Sequence, residues 1–478
     1  MKTLLLKIKN FFKIDKSLFK VDDGTKVLSL FALAIPLFIE TISTHFIQMI
    51  QTMMSSNFMD GFFVSATSIV GTVTSPFIQI ASMVSVGTGI ILSINLGRKK
   101  YEDCKTIVGT AIFADLVICA AFYSLCIFFA EELLAFMGYS GAEYAEKLPY
   151  AIELLKMRGW ANMISHIPLL FLAVLRCYGY TKVGLYTNIV STGLTAILTY
   201  IMLYVIVPAK ENVMTGFIII HVISAVVNIV LTLIYFIIKK IPISFKFNYK
   251  WCLKIIKLGV PATIATLVYT ITSTLTTRIA VSLGSNSYET RIFVQQLVYY
   301  IYIFGFQLAK ASQIMIGRLC GMGELDRANK MHLQNLKIVA ALDGILALAF
   351  AAFGPLILKY GYAANAEIVA ISVPVFFLDV IVEIGRGMNH IGQNGLNATG
   401  DVTFTTIISI VIGFATSVGL AYVFAIWCKL GLVGMWIAYA CDELIRGTIY
   451  AVRWMRGKWR KSFMHELEEL EKVEAQAS

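Results

Sequence analysis

The sequence predicts an all-α polytopic membrane protein, with twelve transmembrane helices in two six-helix lobes related by a parallel internal repeat. Three observations carry that reading. Of the 478 residues, 14% are charged and 58% are apolar, against roughly 25% and 45–50% in soluble proteins. Soluble enzymes, disordered chains and coiled coils are thereby excluded. Twelve apolar stretches are each long enough to cross roughly 30 Å of hydrocarbon as a helix. Landmarks recur at a nearly constant offset: Pro36 and Pro261 are 225 apart, Gly97 and Gly321 are 224 apart, and Gly179 and Gly400 are 221 apart.

In chain order, residues 1–26 are basic and amphipathic but too interrupted by Lys to span. They are expected to lie as an interfacial helix on the cytoplasmic face. No uninterrupted apolar core precedes a small-residue cleavage site, which argues against a removed signal peptide. The first lobe is read as 27–238, with spans at 27–50, 62–95, 105–130, 151–175, 183–207 and 213–238. A basic cytoplasmic linker, 239–254, leads to the second lobe, 255–455. Its spans are 255–282, 289–316, 334–358, 366–396, 403–427 and 431–455, and residues 456–478 form a cytoplasmic tail. The apolar runs are continuous rather than alternating, which indicates helices and not barrel strands. The runs at 62–95, 289–316 and 366–396 exceed one crossing, and tilt or extension into the cytoplasm absorbs the excess. The eight cysteines show no CxxC pair and read as small core residues.

With the N-terminus in the cytoplasm, that side holds 29 of the 40 Lys and Arg residues. The opposite loops hold Lys147, Lys210, Arg291, Lys359 and Lys429. This positive-inside bias puts both termini in the cytoplasm. It accounts for the net charge of +11 and leaves no role for nucleic acid. Each repeat has an even number of spans, so both halves enter from the same side. Repeats of this parallel kind form lobes that rock around a central cavity, as carriers do.

Ionisable side chains are expensive in a bilayer and mark cavities or pairs. The candidates are Glu40, Asp115, Arg278, Lys310, Asp343, Asp379, Glu383 and Arg386. In span 10, Asp379, Glu383, Arg386, His390, Gln393 and Asn397 step by three or four and form one polar stripe, with Asn389 beside it. Glu383 and Arg386, three apart, pair within the helix. Glu40 lies one turn after Pro36, which removes a backbone donor and loosens the helix. His45, Gln48 and Gln51 follow it. Asp115 and Asp343 are read as structural. Lys310 and Arg278 are expected to snorkel toward the interfaces. The sequence holds no P-loop, so ATP is not the direct energy source, and no GxSxG or HExxH, so no enzyme activity is expected.

Several pieces carry a family resemblance: IPLFIE around Pro36 and Glu40, SINLGRKK, RIFVQQL, ASQIMIGRLCGMGELDRA, EIGRGMNHIGQNGLNATGD and CDELIRGTIYAVRWMRGKW. Over roughly residues 25–460 the chain resembles the multidrug and toxic compound extrusion (MATE) family, with members from low-GC Gram-positive bacteria the most similar. The resemblance implies two lobes around a cleft in the cytoplasmic membrane. It further implies efflux of organic, cationic small molecules (xenobiotic export) in exchange for Na⁺ or H⁺. Many members carry an Asp on the first span where this chain has Gln51, and an acid on span 7 where it has Ala265 and Tyr269. The expected coupling residues are therefore Glu383 and Asp379, with Glu40 as the first-lobe candidate. Na⁺ is the one metal ion considered, at Glu383 and Asp379. Arg386, Asn389, Gln393, Tyr269 and Gln51 are expected to line the cavity.

The alternatives are a flippase for a lipid-linked anionic substrate, favoured if Arg278, Lys310 and Arg386 share one cavity, and a diverged carrier with altered coupling. No cofactor is expected beyond the coupling ion. The expected partners are a small-molecule substrate and the lipid bilayer, with no obligatory protein partner.

Overall fold

The computed structural model describes residues 14–22, 24, 26–58, 60–136, 148–207, 210–244 and 246–477. The spans, numbered in chain order, begin with span 1, Leu30–Phe58, and span 2, Asp60–Ala81 continued by Met83–Gly97. Span 3 is Tyr101–Phe128, and span 4 is Leu148–Ser165 continued by Ile167–Cys177. Span 5 is Thr181–Tyr200 with a π-helical end, Ile201–Ile206, and span 6 is Lys210–Ile238. The second lobe comprises span 7, Tyr249–Ser282, span 8, Ser285–Gly321, span 9, Leu325–Tyr360, and span 10, Ala366–Ala398. Span 11 is Val402–Ile412 and turns π-helical over Gly413–Leu420 and Val423–Trp427; span 12 is Gly431–Met455. Eleven of these are long and apolar enough to cross a membrane by hydropathy alone. Span 12 falls short because Asp442, Glu443, Arg446 and Arg453 interrupt it.

Three boundaries differ from the sequence reading. The interfacial helix expected over 1–26 lies outside the described residues up to 13. Beyond them the chain forms a 3₁₀ turn, Lys16–Phe19, and an antiparallel pair of strands, β1 (Lys20–Asp22) with β2 (Val27–Ser29). The Asp-Gly residues at 23–24, with Gly24 at φ +82°, favour a turn there over a helix. Span 7 starts at Tyr249, inside the segment read as linker, because Asn248 caps it by accepting from the backbone of Lys250 and Trp251. The tail folds as a helix, Lys458–Ala477.

The repeat is visible in the backbone. Gly179 and Gly400 follow spans 4 and 10 with φ +79° and +80°. Gly97 and Gly321, at the ends of spans 2 and 8, face each other across the lobes. Neither has room for a Cβ, because the backbone of Arg318 lies against Gly97 and that of Ile94 against Gly321. Close backbone approach through small residues is how helices associate where lipid removes the hydrophobic drive. Hydrogen bonds add to the seam: Gln307 Nε2 donates to Thr41 Oγ1 (3.1 Å), and Gln79 Nε2 to Thr270 Oγ1 (2.9 Å).

The C-terminal helix packs across the membrane-proximal ends of both lobes. Trp459 stacks on Trp454 at 4.3 Å. Glu466 Oε2 accepts from the buried Lys254 Nζ at 2.9 Å, and Glu474 pairs with Arg98 of the first lobe. Burial holds the Glu466 carboxyl above its ordinary range, against the pull of Lys254.

Candidate functional site

Span 10 presents its polar stripe to spans 9 and 12. Asp379 and Glu383 are buried, with Glu383 fully so. Trp436 Nε1 donates to Asp379 Oδ1 at 2.9 Å. Glu383 Oε1 pairs with Arg386, as their spacing predicts. Arg386 Nε also donates to Glu443 Oε1 at 3.2 Å, and Asn389 Nδ2 donates to Glu443 Oε2 at 2.6 Å. Arg446 pairs with Asp442, and its guanidinium lies 3.5 Å from Glu443. Thr416, in the π-helical part of span 11, donates to Asp442 Oδ1 at 2.6 Å.

Asp343 of span 9 joins this group. Read from sequence as structural, it is buried within electrostatic reach of Glu383 and Arg386. A Cβ at Gly387 would come within 2.5 Å of its Oδ2. The resulting cluster has five carboxylates, Asp343, Asp379, Glu383, Asp442 and Glu443, and two guanidiniums, Arg386 and Arg446. Asp343 Oδ1, Asp379 Oδ2 and Glu383 Oε2 are buried without a hydrogen-bond partner. Two guanidiniums leave three carboxylates uncompensated, and uncompensated buried charge costs several kcal/mol per ion. The arrangement is therefore built to take up protons or a hard cation.

A cavity of about 50 Å³ adjoins the cluster, lined by Tyr269, Arg291, Arg386, Asp442 and Glu443 among others. It has room for water or an ion and not for an organic molecule. Tyr269 thus sits beside the cluster, stacked in parallel with Tyr302 at 6.3 Å. Gln393 is half-buried and makes no hydrogen bond among the described residues. Arg291, counted with the outer loops, is buried inside span 8 and donates to Thr277 Oγ1 at 2.7 Å.

Sequence reasoning passed over Asp442, Glu443 and Arg446. Their signal was present, as three charges within one apolar helix, the same expense that singled out span 10.

The first lobe treats its buried acid differently. Glu40 Oε1 accepts from Arg176 Nη2 at 2.7 Å and from Asn188 Nδ2 at 2.5 Å. Asn228 braces Asn188 at 2.9 Å. Gln51 donates to Thr199 Oγ1 at 3.3 Å, tying span 1 to span 5. Asp115 lies 3.6 Å from His166 Nδ1, at the break in span 4.

The three cations Arg278, Lys310 and Arg386 do not share one cavity. Arg386 is engaged by acids, Arg278 is exposed, and Lys310 lines the cleft between the lobes instead of snorkelling.

Known proteins place this architecture. The MatE family model matches residues 36–201 and 261–423, one block in each lobe. The uncharacterized transporter YisQ of Bacillus subtilis is 26% identical over 91% of this chain and 95% of its own length. The probable multidrug resistance protein YoeA of the same organism is 23% identical over 76% of this chain and 80% of its own. The crystal structure of the Vibrio cholerae MATE transporter VcmN superposes with a TM-score of 0.82 at 16% identity, covering 90% of this chain and 96% of that one. The chain belongs to the MatE family and is a polytopic membrane protein of the multidrug and toxic compound efflux transporter fold.

Proposed function

We propose that the chain is a secondary antiporter that exports organic small molecules in exchange for Na⁺ or H⁺, with the coupling cation taken by the second lobe. The observation that carries this is the surplus of buried carboxylates over guanidiniums around span 10, with unpartnered oxygens on Asp343, Asp379 and Glu383. Glu383 and Asp379 exchange the cation. Arg386 holds Glu383 and Glu443 together, and Asn389 orients Glu443. Arrival or departure of a cation changes the charge felt by Arg386, which bridges spans 10 and 12, and so biases the packing of these spans. The membrane potential adds about 2.3 kcal/mol per charge per 100 mV. Glu40 is the first-lobe candidate, but its ion pair with Arg176 makes it the weaker site, so we assign coupling to the second lobe.

The test is uptake of fluorescent organic ions into proteoliposomes under imposed Na⁺ or pH gradients. The reading expects transport that requires one gradient and falls at least about tenfold in Glu383→Gln, equivalent to about 1.4 kcal/mol. Gradient-driven transport at the wild-type rate in Glu383→Gln overturns it.

A further inference from the structure

A cavity of about 350 Å³ lies between the lobes, walled by spans 1, 2, 4 and 8. This is within the roughly 300–1,000 Å³ of small-molecule sites, and it is several times the cavity beside the acidic cluster. Apolar side chains such as Val86 and Phe306 share its wall with the amides of Gln307 and Gln313. Its charged lining residues are Arg176 and Lys310, and no carboxylate-bearing residue lines it. The Arg176 charge is answered by Glu40. Lys310 makes no ion pair among the described residues, and its Nζ stands 5.2 Å from the centre of the Phe306 ring. Eleven residues separate Lys310 from the span end at Gly321, a rise of roughly 16 Å, beyond the reach of a lysine side chain. The cleft therefore carries one uncompensated cation on a largely apolar wall.

A lone ammonium in such surroundings is poorly solvated and attracts an anion. A cationic guest would meet like-charge repulsion at the same point. We propose that this cleft binds amphiphilic organic anions, the acidic head (carboxylate, sulfonate or phosphate) on Lys310 and the aromatic or aliphatic body against Phe306 and Val86. This names the substrate class of the antiporter and rests on that reading for its role in export. It departs from the cationic substrate that the family resemblance implies. The separation of charge is orderly: acids around the coupling ion in one lobe, a cation facing the guest between the lobes.

The test is equilibrium binding, without any gradient, to the full-length protein in phosphatidylcholine nanodiscs. The probes are fluorescein, an aromatic anion, and ethidium, an aromatic cation, read by fluorescence polarisation. The expected result is saturable fluorescein binding that weakens about tenfold or more in Lys310→Gln. Lys310→Arg, which keeps the charge, stays within about threefold of wild type, and Lys310→Glu gains ethidium at the expense of fluorescein. Fluorescein binding as tight in Lys310→Gln as in wild type overturns the inference, as does saturable ethidium binding with none of fluorescein. Competition with short-chain phosphatidylglycerol separates the sources: displacement of fluorescein assigns the site to a lipid headgroup, and its persistence assigns it to a free anion. Gradient-driven uptake is scored separately. Fluorescein binding without driven uptake overturns the antiporter and keeps the cleft assignment; driven ethidium uptake without fluorescein binding does the reverse.

Discussion

The two lobes repeat one topology and settle their buried charge in opposite ways. In the first, Glu40 is answered by Arg176 and Asn188, and Asp115 lies beside His166. In the second, five carboxylates meet two guanidiniums, and three of their oxygens have no partner. The first lobe is a satisfied scaffold; the second holds its acids in a state that only an incoming cation or proton completes. The comparison teaches that a duplicated fold can concentrate ion handling in one copy while the other supplies rigidity.

The largest effects test this contrast in stability. Arg386→Ala leaves Glu383 and Glu443 without their shared counter-charge and should destabilise the protein by about 3–5 kcal/mol, seen as a lowered melting temperature in detergent. Arg176→Ala should do less, by about 1–2 kcal/mol, because Glu40 keeps Asn188 and the guanidinium is partly exposed. Equal losses would erase the distinction between the lobes. In transport, Glu40→Gln should retain gradient dependence where Glu383→Gln loses it. A first-lobe variant that abolishes coupling would move the ion site.

Smaller effects sharpen the seam between the lobes. Gly321→Ala forces a Cβ against the Ile94 backbone and should cost about 1–3 kcal/mol, read by thermal unfolding. Gly193→Ala has open space and should be neutral or stabilise by up to about 1 kcal/mol. At the C-terminal helix, Lys254→Met strands the buried Glu466, whereas Lys257→Ala removes an exposed partner of Glu469 worth about 0–1 kcal/mol. Only the first should loosen the helix, as monitored by limited proteolysis.

Much of this was legible in the sequence. Twelve continuous apolar runs, bounded by turn residues, leave a chain in lipid little choice but helices. Pro36 with Pro261 and Gly97 with Gly321 disclosed the repeat because turn and contact positions tolerate few residue types. The stripe on span 10 was readable for the same reason: in a bilayer, polar side chains cannot scatter around a helix. What stayed hidden depended on distance in space. Nothing in the order of residues brings Asp343 of span 9, or Glu443 of span 12, to Glu383. Lys310 reads as a residue that reaches for water until the walls around it are known. The strands at Lys20–Asp22 and Val27–Ser29 were masked by the basic run before them, whose amphipathic pattern suggests a surface helix.

Gly97 and Gly321 have one more consequence. Each occupies the same place in its own repeat, and each touches the other. A residue that meets its own counterpart is what a two-fold homodimer makes at its axis. The seam therefore preserves the form of an interface between two identical chains, later joined by the segment ahead of Tyr249. Joining them freed the halves from the obligation to mutate together. A substitution in an identical pair is felt twice; in the fused chain it is felt once. That release is what allowed one half to gather acids around span 10 while the other kept its single paired glutamate.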